Sequence, residues 1–432
     1  MLDLLYALVF LAALPWVVWR RAAGRRPVAA PWQRFTGGIP LLPPPRNRCR
    51  IWLHGVSVGE VALLTSLASE LRQQAEAAGR NIECVISSST TTGLDVARSR
   101  FPPELVFPCP LDFSWAVRRV LHRVQPDLLV LGELELWPQL LALTAAQGVP
   151  IAVVNARMSE RSFRGYRRLA WLARRMLRRL TVVIARSRED ADRFAALGAA
   201  DVVVAGSMKY DGARGERTAA MVQQLTALAG ITPEDVVFLA GSTQAPEEAL
   251  AIEAYRKLSA SRLSLRLILV PRHAERSDEI AHLLATSGVA WQRRSQLATD
   301  DLDPAARVLL VDVTGELAAW WGAAAIAFVG GSLDGKRGGQ NMLEPAAYGA
   351  AVCFGPHTRN FQTEVAGLLA ADAIRIVHDA DELTAFVQWA LDEPAQRQAM
   401  GQRAAAAVAA GRGATPFTVS RLLALLPASC GS

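Results

Sequence analysis

Short unbroken apolar runs recur along the chain, separated by longer stretches in which apolar residues return every three or four positions. The first series covers 51–56, 82–86, 127–131, 150–154, 181–185 and 202–205. A second series covers 236–240, 266–270, 307–311, 325–329 and 352–354. Continuous Val/Ile/Leu runs, rather than alternating ones, mark strands covered on both faces, and helices between them imply parallel sheets. Eleven such strands are too many for one comfortable doubly wound sheet, and the stretch 210–234 contains none. The pattern therefore predicts an α/β protein of two Rossmann-like domains with parallel sheets facing across a cleft, 51–212 and 235–432, joined by a linker over 213–234. In open α/β sheets ligands sit at the carboxyl ends of the strands, so the loops that follow these runs are where chemistry is expected.

Ahead of the first domain lies a different pattern. Residues 4–19, "LLYALVFLAALPWVVW", are uncharged and are followed by "RRAAGRR". The run is at the short end of the ~17–25 residues that span a bilayer. A secretory signal would carry its basic residues before the apolar run and a small-residue cleavage site after it; here Asp3 precedes and arginines follow. We read 1–24 as a retained membrane anchor with its N-terminus out and the body on the cytoplasmic face of the inner membrane, by the positive-inside rule. A buried or interfacial helix is the alternative, favoured by Pro15 and the short length. Residues 25–50 read as a basic, Pro-rich linker.

Charge sharpens this picture. The net charge is +7, and residues 1–50 alone hold eight arginines against one acid, while the other 382 residues balance 39 basic with 39 acidic groups. A nucleic-acid binder would spread a basic face over its folded domain; no nucleic acid is expected. The exception is 161–179, "RSFRGYRRLAWLARRMLRR", with eight arginines and no acid. On a helix it makes a basic amphipathic surface suited to anionic lipid headgroups. RNA is the competing partner, and the neighbouring apolar segment favours the membrane. Five scattered cysteines without C-x-x-C spacing argue against a disulfide framework and a zinc site, and no H-x-x-x-H pair points to a catalytic metal.

The strand-end loops carry the candidate chemistry. "HGVSVGE" ends on Glu60, three residues after Ser57. That spacing fits a capping box, yet the same carboxylate could accept a proton, and by the capping rule alone the cap is favoured. "GELELWP" brings Glu133 and Glu135, and "GSMKYD" brings Lys209. In the second half, "GSTQAPEE", "PRHAER", "DVTGEL" and "GGSLDGKRGGQNMLEP" follow four strands. Small residues at helix starts suit an anion, with Ser242 or Thr243 as a helix cap and Arg272 as a bidentate hold on phosphate. No Walker loop and no G-x-G-x-x-G is present, which disfavours ATPases and dehydrogenases.

Taken in order, "HGVSVGE", "ELELWP", "NARMSERS", "GSMKYD", "GST", "PRHAER", "GEL", "FVGGSL" and "NMLEPAAYG…FGPHTRNF" resemble the Kdo transferases of lipopolysaccharide synthesis, which attach 3-deoxy-D-manno-octulosonic acid to lipid A precursor. The resemblance covers nearly the whole chain. It implies the GT-B glycosyltransferase fold, an acceptor-binding domain first and a donor-binding domain second, and inverting transfer from CMP-Kdo without metal or other cofactor. Carried over by motif, Glu60 is the general base, and Glu133 and Lys209 stabilise the transition state. CMP contacts fall on Pro271 and Arg272, on Gly315, Glu316 and Leu317, and on Asn341, Met342, Leu343 and Glu344. A base at Glu60 leaves Ser57 to cap the helix without it. A helix N-terminus would keep Glu60 ionised but lower its strength as a base.

The chain departs from the family pattern at four positions, one of them the unusual Gly132 of "GELELWP". Gln244 stands where "GSTH" is common, and Gln340 and Met342 replace the His and Pro of "GGHNPLEP". These bear on donor contact. Two other readings remain: a GT-B enzyme using another nucleotide sugar, against which the full motif order speaks, and a non-catalytic membrane-tethered nucleotide-binding protein, against which the intact Glu60, Glu133, Lys209 and Arg272 set speaks.

Overall fold

A computed structural model describes residues 3, 4, 6, 7, 30–40, 42, 48–297 and 303–427. The chain divides into two compact units, Met1–Asp211 with Arg412–Ser432, and Gly212–Gly411. Most of the expected anchor, and residues 25–29, 41 and 43–47 of the expected linker, lie outside the described residues; the described part of the linker contains the helix Pro31–Thr36. Among the described residues, no helix is long and apolar enough to cross a membrane.

The first unit holds a seven-stranded parallel sheet of β1 (Cys49–His54), β2 (Ile82–Ser88), β3 (Val106–Pro108), β4 (Leu128–Gly132), β5 (Ile151–Ala156), β6 (Val182–Ala185) and β7 (Val202–Val204), in the order β3-β2-β1-β4-β5-β6-β7. Alternate side chains serve opposite layers, as strand geometry requires. Ile51, Leu53, Leu128 and Val130 pack with Leu64 and Leu67 on one face. Trp52, Leu129 and Leu131 pack with Val117 and Val120 on the other. That two-sided burial is why these strands read as unbroken apolar runs. The strand order reverses between β1 and β4, which makes the end of that pair the topological switch point.

The second unit repeats the plan with β8 (Val236–Thr243), β9 (Leu265–Pro271), β10 (Trp291–Arg293), β11 (Val308–Leu310), β12 (Ile326–Val329), β13 (Ala351–Phe354) and β14 (Ile374–Ile376), in the order β10-β11-β9-β8-β12-β13-β14. Its switch point lies between β8 and β12. The three strands missing from the sequence expectation, β3, β10 and β14, are each three residues long and each at a sheet edge. An edge strand needs no long two-sided apolar run, so it leaves little pattern.

Two expected boundaries move. Residues 213–234 are not a free linker: they contain the helix Ala220–Leu228, and Arg217 donates to the carbonyls of Gly322, Ala324 and Tyr348, which fastens the segment to the second unit. The C-terminal helix Ala414–Leu423 belongs to the first unit rather than the second. Asp211 accepts from the Gly413 and Thr415 N–H groups, Arg80 donates to the Leu423 carbonyl, and Val419 and Leu422 complete the core beside Leu64. Cys84, Cys109 and Cys353 are free and buried.

Candidate active site

Glu60 and Glu133 come together at the first switch point. β1 ends at His54, and the helix Val58–Ala77 begins after a three-residue turn. Gly55 leaves that turn little room for a side chain: a Cβ there would lie 3.0 Å from Leu64 Cδ1 and 3.1 Å from Glu60 Cβ, so these side chains would have to shift by a few tenths of an ångström. Ser57 caps the helix, its Oγ accepting from the Glu60 N–H. Contrary to expectation, Glu60 shares in the cap: one carboxylate oxygen accepts from the Val56 N–H at 2.6 Å and the other from the Ser57 hydroxyl at 3.1 Å. Across the switch point, Glu133 follows β4 directly and is held at φ 52, an uncommon conformation for a residue with a side chain. Its N–H donates to the Val154 carbonyl, and Arg157 Nε lies 3.9 Å from its carboxylate.

Burial raises the Glu60 carboxyl above the usual glutamate range, opposed by the Val56 N–H and reinforced by the charge of Glu133. The expected helix-terminus effect is therefore outweighed by desolvation, and Glu60 is a stronger base than an ordinary glutamate. Glu135 belongs to the same cluster. Burial raises its carboxyl to about 6, with a hydrogen bond from the Trp137 indole opposing and the charges of Glu60 and Glu133 adding to the rise. Among the described residues, no group of three or more His, Cys, Asp or Glu side chains could hold a metal ion.

Lys209 opens the short helical turn Lys209–Gly212 beyond β7. The residue before it, Met208, donates its N–H to the Asn155 side-chain Oδ1, and Asn155 follows Val154, whose carbonyl accepts from the Glu133 N–H. The Arg-rich stretch forms two helices, Glu160–Arg168 and Ala170–Leu177. Met176 and Leu177 are buried, while Leu169 and Trp171 are exposed among the arginines.

In the second unit, Pro271 ends β9 and is buried, whereas Arg272 is exposed and its N–H donates to the Thr243 carbonyl. Arg272 and the Asn341–Glu344 segment are brought together. Burial raises the Glu344 carboxyl, while the Asn341 amide, bonded to it at 2.9 Å, and the Arg272 charge oppose the rise. Gly315 takes a positive φ ahead of Glu316, and both Glu316 oxygens are held by Arg294 at 2.7 and 2.9 Å. The Glu316 carboxylate is thus committed within the protein, and Leu317 starts a helix of only four residues. Met342 and Leu343 are fully buried, so their side chains are core rather than ligand contacts.

The loop after β12 corrects the phosphate-cradle expectation. Buried Glu247 accepts from the N–H groups of Gly331 (2.8 Å), Ser332 (3.0 Å), Leu333 (3.3 Å) and Gln244 (3.0 Å). Those donors are already used by a carboxylate, and a Cβ on Gly330 would meet it at 2.6 Å. Ser242 and Thr243 do not cap a helix; they end β8, and Ser242 has φ 53. The two glutamines that replace histidines converge here: a Cβ on Gly331 would lie 3.1 Å from Gln340 Nε2 and 3.5 Å from Gln244 Nε2. Glu247, Arg157 and Arg294 were not picked out by the sequence. Only Glu247 left a signal, a glutamate three positions after Gln244 in a strand-to-helix turn.

Two parallel doubly wound sheets define a glycosyltransferase-like fold of the GT-B kind. A glycosyltransferase from Rickettsia africae shares it at TM-score 0.54 and 10% identity, over 88% of this chain and 99% of that one. UDP-GlcNAc 2-epimerase from Neisseria meningitidis shares it at TM-score 0.55 and 11% identity, over 87% of this chain and all of that one (100%). At such identities only the fold is shared. The family is decided by sequence: residues 30–212 match the model for 3-deoxy-D-manno-octulosonic-acid transferase (kdotransferase). The chain is also 36% identical to the 3-deoxy-D-manno-octulosonic acid transferase of Bordetella pertussis, over 96% of this chain and 97% of that one. It belongs to the Kdo transferase family and is a glycosyltransferase.

Proposed function

We propose that this chain transfers Kdo from CMP-Kdo to a hydroxyl of the lipid A precursor, with inversion and without a metal, at the cytoplasmic face of the inner membrane. The observation that carries the reading is the pairing of a partly buried Glu60, with raised proton affinity, beside Glu133 at the first switch point. The acceptor hydroxyl gives its proton to Glu60 while its oxygen bonds to the anomeric carbon from the face opposite CMP. The bond from that carbon to the phosphate oxygen breaks, and CMP leaves with the electron pair. Lys209 and Glu133 stabilise the charge that develops in the transition state, and Arg272 holds the CMP phosphate. The arginines of 161–179, with Leu169 and Trp171, meet anionic headgroups. Supplying lipid A precursor with CMP-Kdo generated in situ, and weighing the lipid product, tests the reaction. No mass gain with an active donor supply would overturn it.

Glu135, at about 6, is the second candidate base. The charge of Glu133 raises both carboxyls, so Glu133→Gln should move the acidic limb of the residual activity to lower pH whichever is the base. The two are separated by removing each in turn: if Glu60 is the base, Glu135→Gln keeps an acidic limb and most of the transfer, and loss of both with Glu135→Gln would shift the assignment to Glu135.

Arg272→Ala should weaken CMP binding by roughly 1.5–3 kcal/mol, the range for a charge-assisted hydrogen bond. Calorimetry reading unchanged affinity would remove Arg272 from the donor site. EDTA should leave turnover intact, and activity lost to EDTA and restored by a divalent ion would contradict the metal-free reaction.

A further inference from the structure

The turn that carries Glu60 is held from β2 as well as from its own helix. The β1–β2 ladder pairs His54 with Ser87 and ends with the Gly55 N–H on the Ser87 carbonyl. Beyond that point two side chains take over from the backbone. Ser88, fully buried at the end of β2, donates its hydroxyl to the Val56 carbonyl at 3.1 Å, and Thr90 donates its own to the same oxygen at 2.7 Å. Both lone pairs of that carbonyl are thereby used. The N–H of the same residue, Val56, is the donor that Glu60 accepts at 2.6 Å.

The loop after β2 is built around these two hydroxyls. Thr90 caps the helix Thr91–Arg98, its Oγ1 accepting from the Gly93 N–H. A Cβ on Gly93 would overlap Ser88 Oγ and lie 2.8 Å from Thr90 Oγ1. Glycine costs a helix up to about 1 kcal/mol relative to alanine, and here it keeps open the space in which both hydroxyls reach Val56. Ser89, between them, is fixed in turn: Arg34 donates to its carbonyl at 3.2 Å.

We infer that Ser88 and Thr90 are positioning residues for the transfer: by fixing the Val56 carbonyl they set the direction of the Val56 N–H, and so hold the Glu60 carboxylate in one orientation beside Glu133. This rests on the reading of Glu60 as the base. Neither hydroxyl touches a reacting atom in this role; both act through the turn.

Thr90→Val and Ser88→Ala should each lower kcat by about 10- to 100-fold, the scale of a misplacement of up to about 1 Å, with the KM for each substrate little changed. Ser88→Ala leaves the helix cap in place, so its effect is not that of a lost cap. The acidic limb of the pH–rate profile should move to higher pH, because the Val56 N–H holds the Glu60 carboxyl down and a looser bond lets it rise. The charged neighbours of Glu60, which are Glu133 and Glu135 after β4 with Arg157 beside Glu133, are untouched by these substitutions. Thr90→Ser keeps the hydroxyl and should rescue both rate and limb. A lower melting temperature with parent kcat and an unmoved limb would overturn the inference and leave the hydroxyls as a structural tie. Thr90→Val is then combined with Glu60→Gln. If Thr90 acts through Glu60, the pair should be no slower than Glu60→Gln alone, since the aim of a side chain that takes no proton does not set the rate. Losses that multiply would overturn the positioning role and leave the base in place. Near wild-type transfer by Glu60→Gln alone would overturn the base and this inference together.

Discussion

Glu60→Gln is expected to lower Kdo transfer by about 100- to 10,000-fold, the usual contribution of a general base. The glutamine oxygen can still accept from the Val56 N–H, and its amide can donate to Ser57 Oγ, so the turn between β1 and its helix persists. Losing a complete N-cap costs ~0.5–2 kcal/mol, and a retained half of it costs less, so the melting temperature should fall by no more than about 2–4 °C. CMP affinity should not change. Thermal scanning, calorimetry and single-turnover transfer together decide the matter. The cap and the base are two roles of one carboxylate in this structure, so the rate measurement carries the distinction. Near wild-type transfer would leave Glu60 as a cap only and move the search to Glu133 and Glu135.

Glu247→Ala is expected to have the largest effect on stability. It leaves four N–H groups, those of Gln244, Gly331, Ser332 and Leu333, without their acceptor. Each unsatisfied buried group costs about 1–3 kcal/mol. The loop will relax and admit water, so the sum is not reached, and a loss of about 3–5 kcal/mol is expected. For a unit of this size that corresponds to a fall of roughly 10 °C in melting temperature. CMP binding should weaken as well, since the β8 and β12 loops lose their common tie. Calorimetry showing a shift of under about 2 °C would mean that these donors find other acceptors and that Glu247 does not hold the loop.

The sequence carried the repeating units of this fold but not their margins. Strands such as β1, β4, β5 and β8 are buried on both faces, and burial on both faces writes itself into the chain as an unbroken apolar run. β3, β10 and β14 sit at sheet edges and leave no such run. The positions of the candidate residues were legible too: Glu133 and Arg272 stand just past a strand end and Glu60 in the first turn of the helix after β1, where α/β proteins place their chemistry, while the role given to Glu60 came from the resemblance, its spacing alone favouring a cap.

What only the tertiary structure decided is where charges meet and which groups are already spoken for. That Glu133 raises the proton affinity of Glu60 depends on β1 and β4 being neighbours, a pairing 77 positions apart in register. That the Gly331–Leu333 loop gives its N–H groups to Glu247 rather than to a phosphate depends on β8 lying beside β12. Arg294 on Glu316, Arg157 near Glu133 and Thr90 on Val56 are of the same kind. Apolar burial is set by each residue's own character and recurs with the period of its element. Hydrogen bonding and charge coupling are pairwise and fall off within a few ångströms, so they exist only once the fold has brought distant positions together.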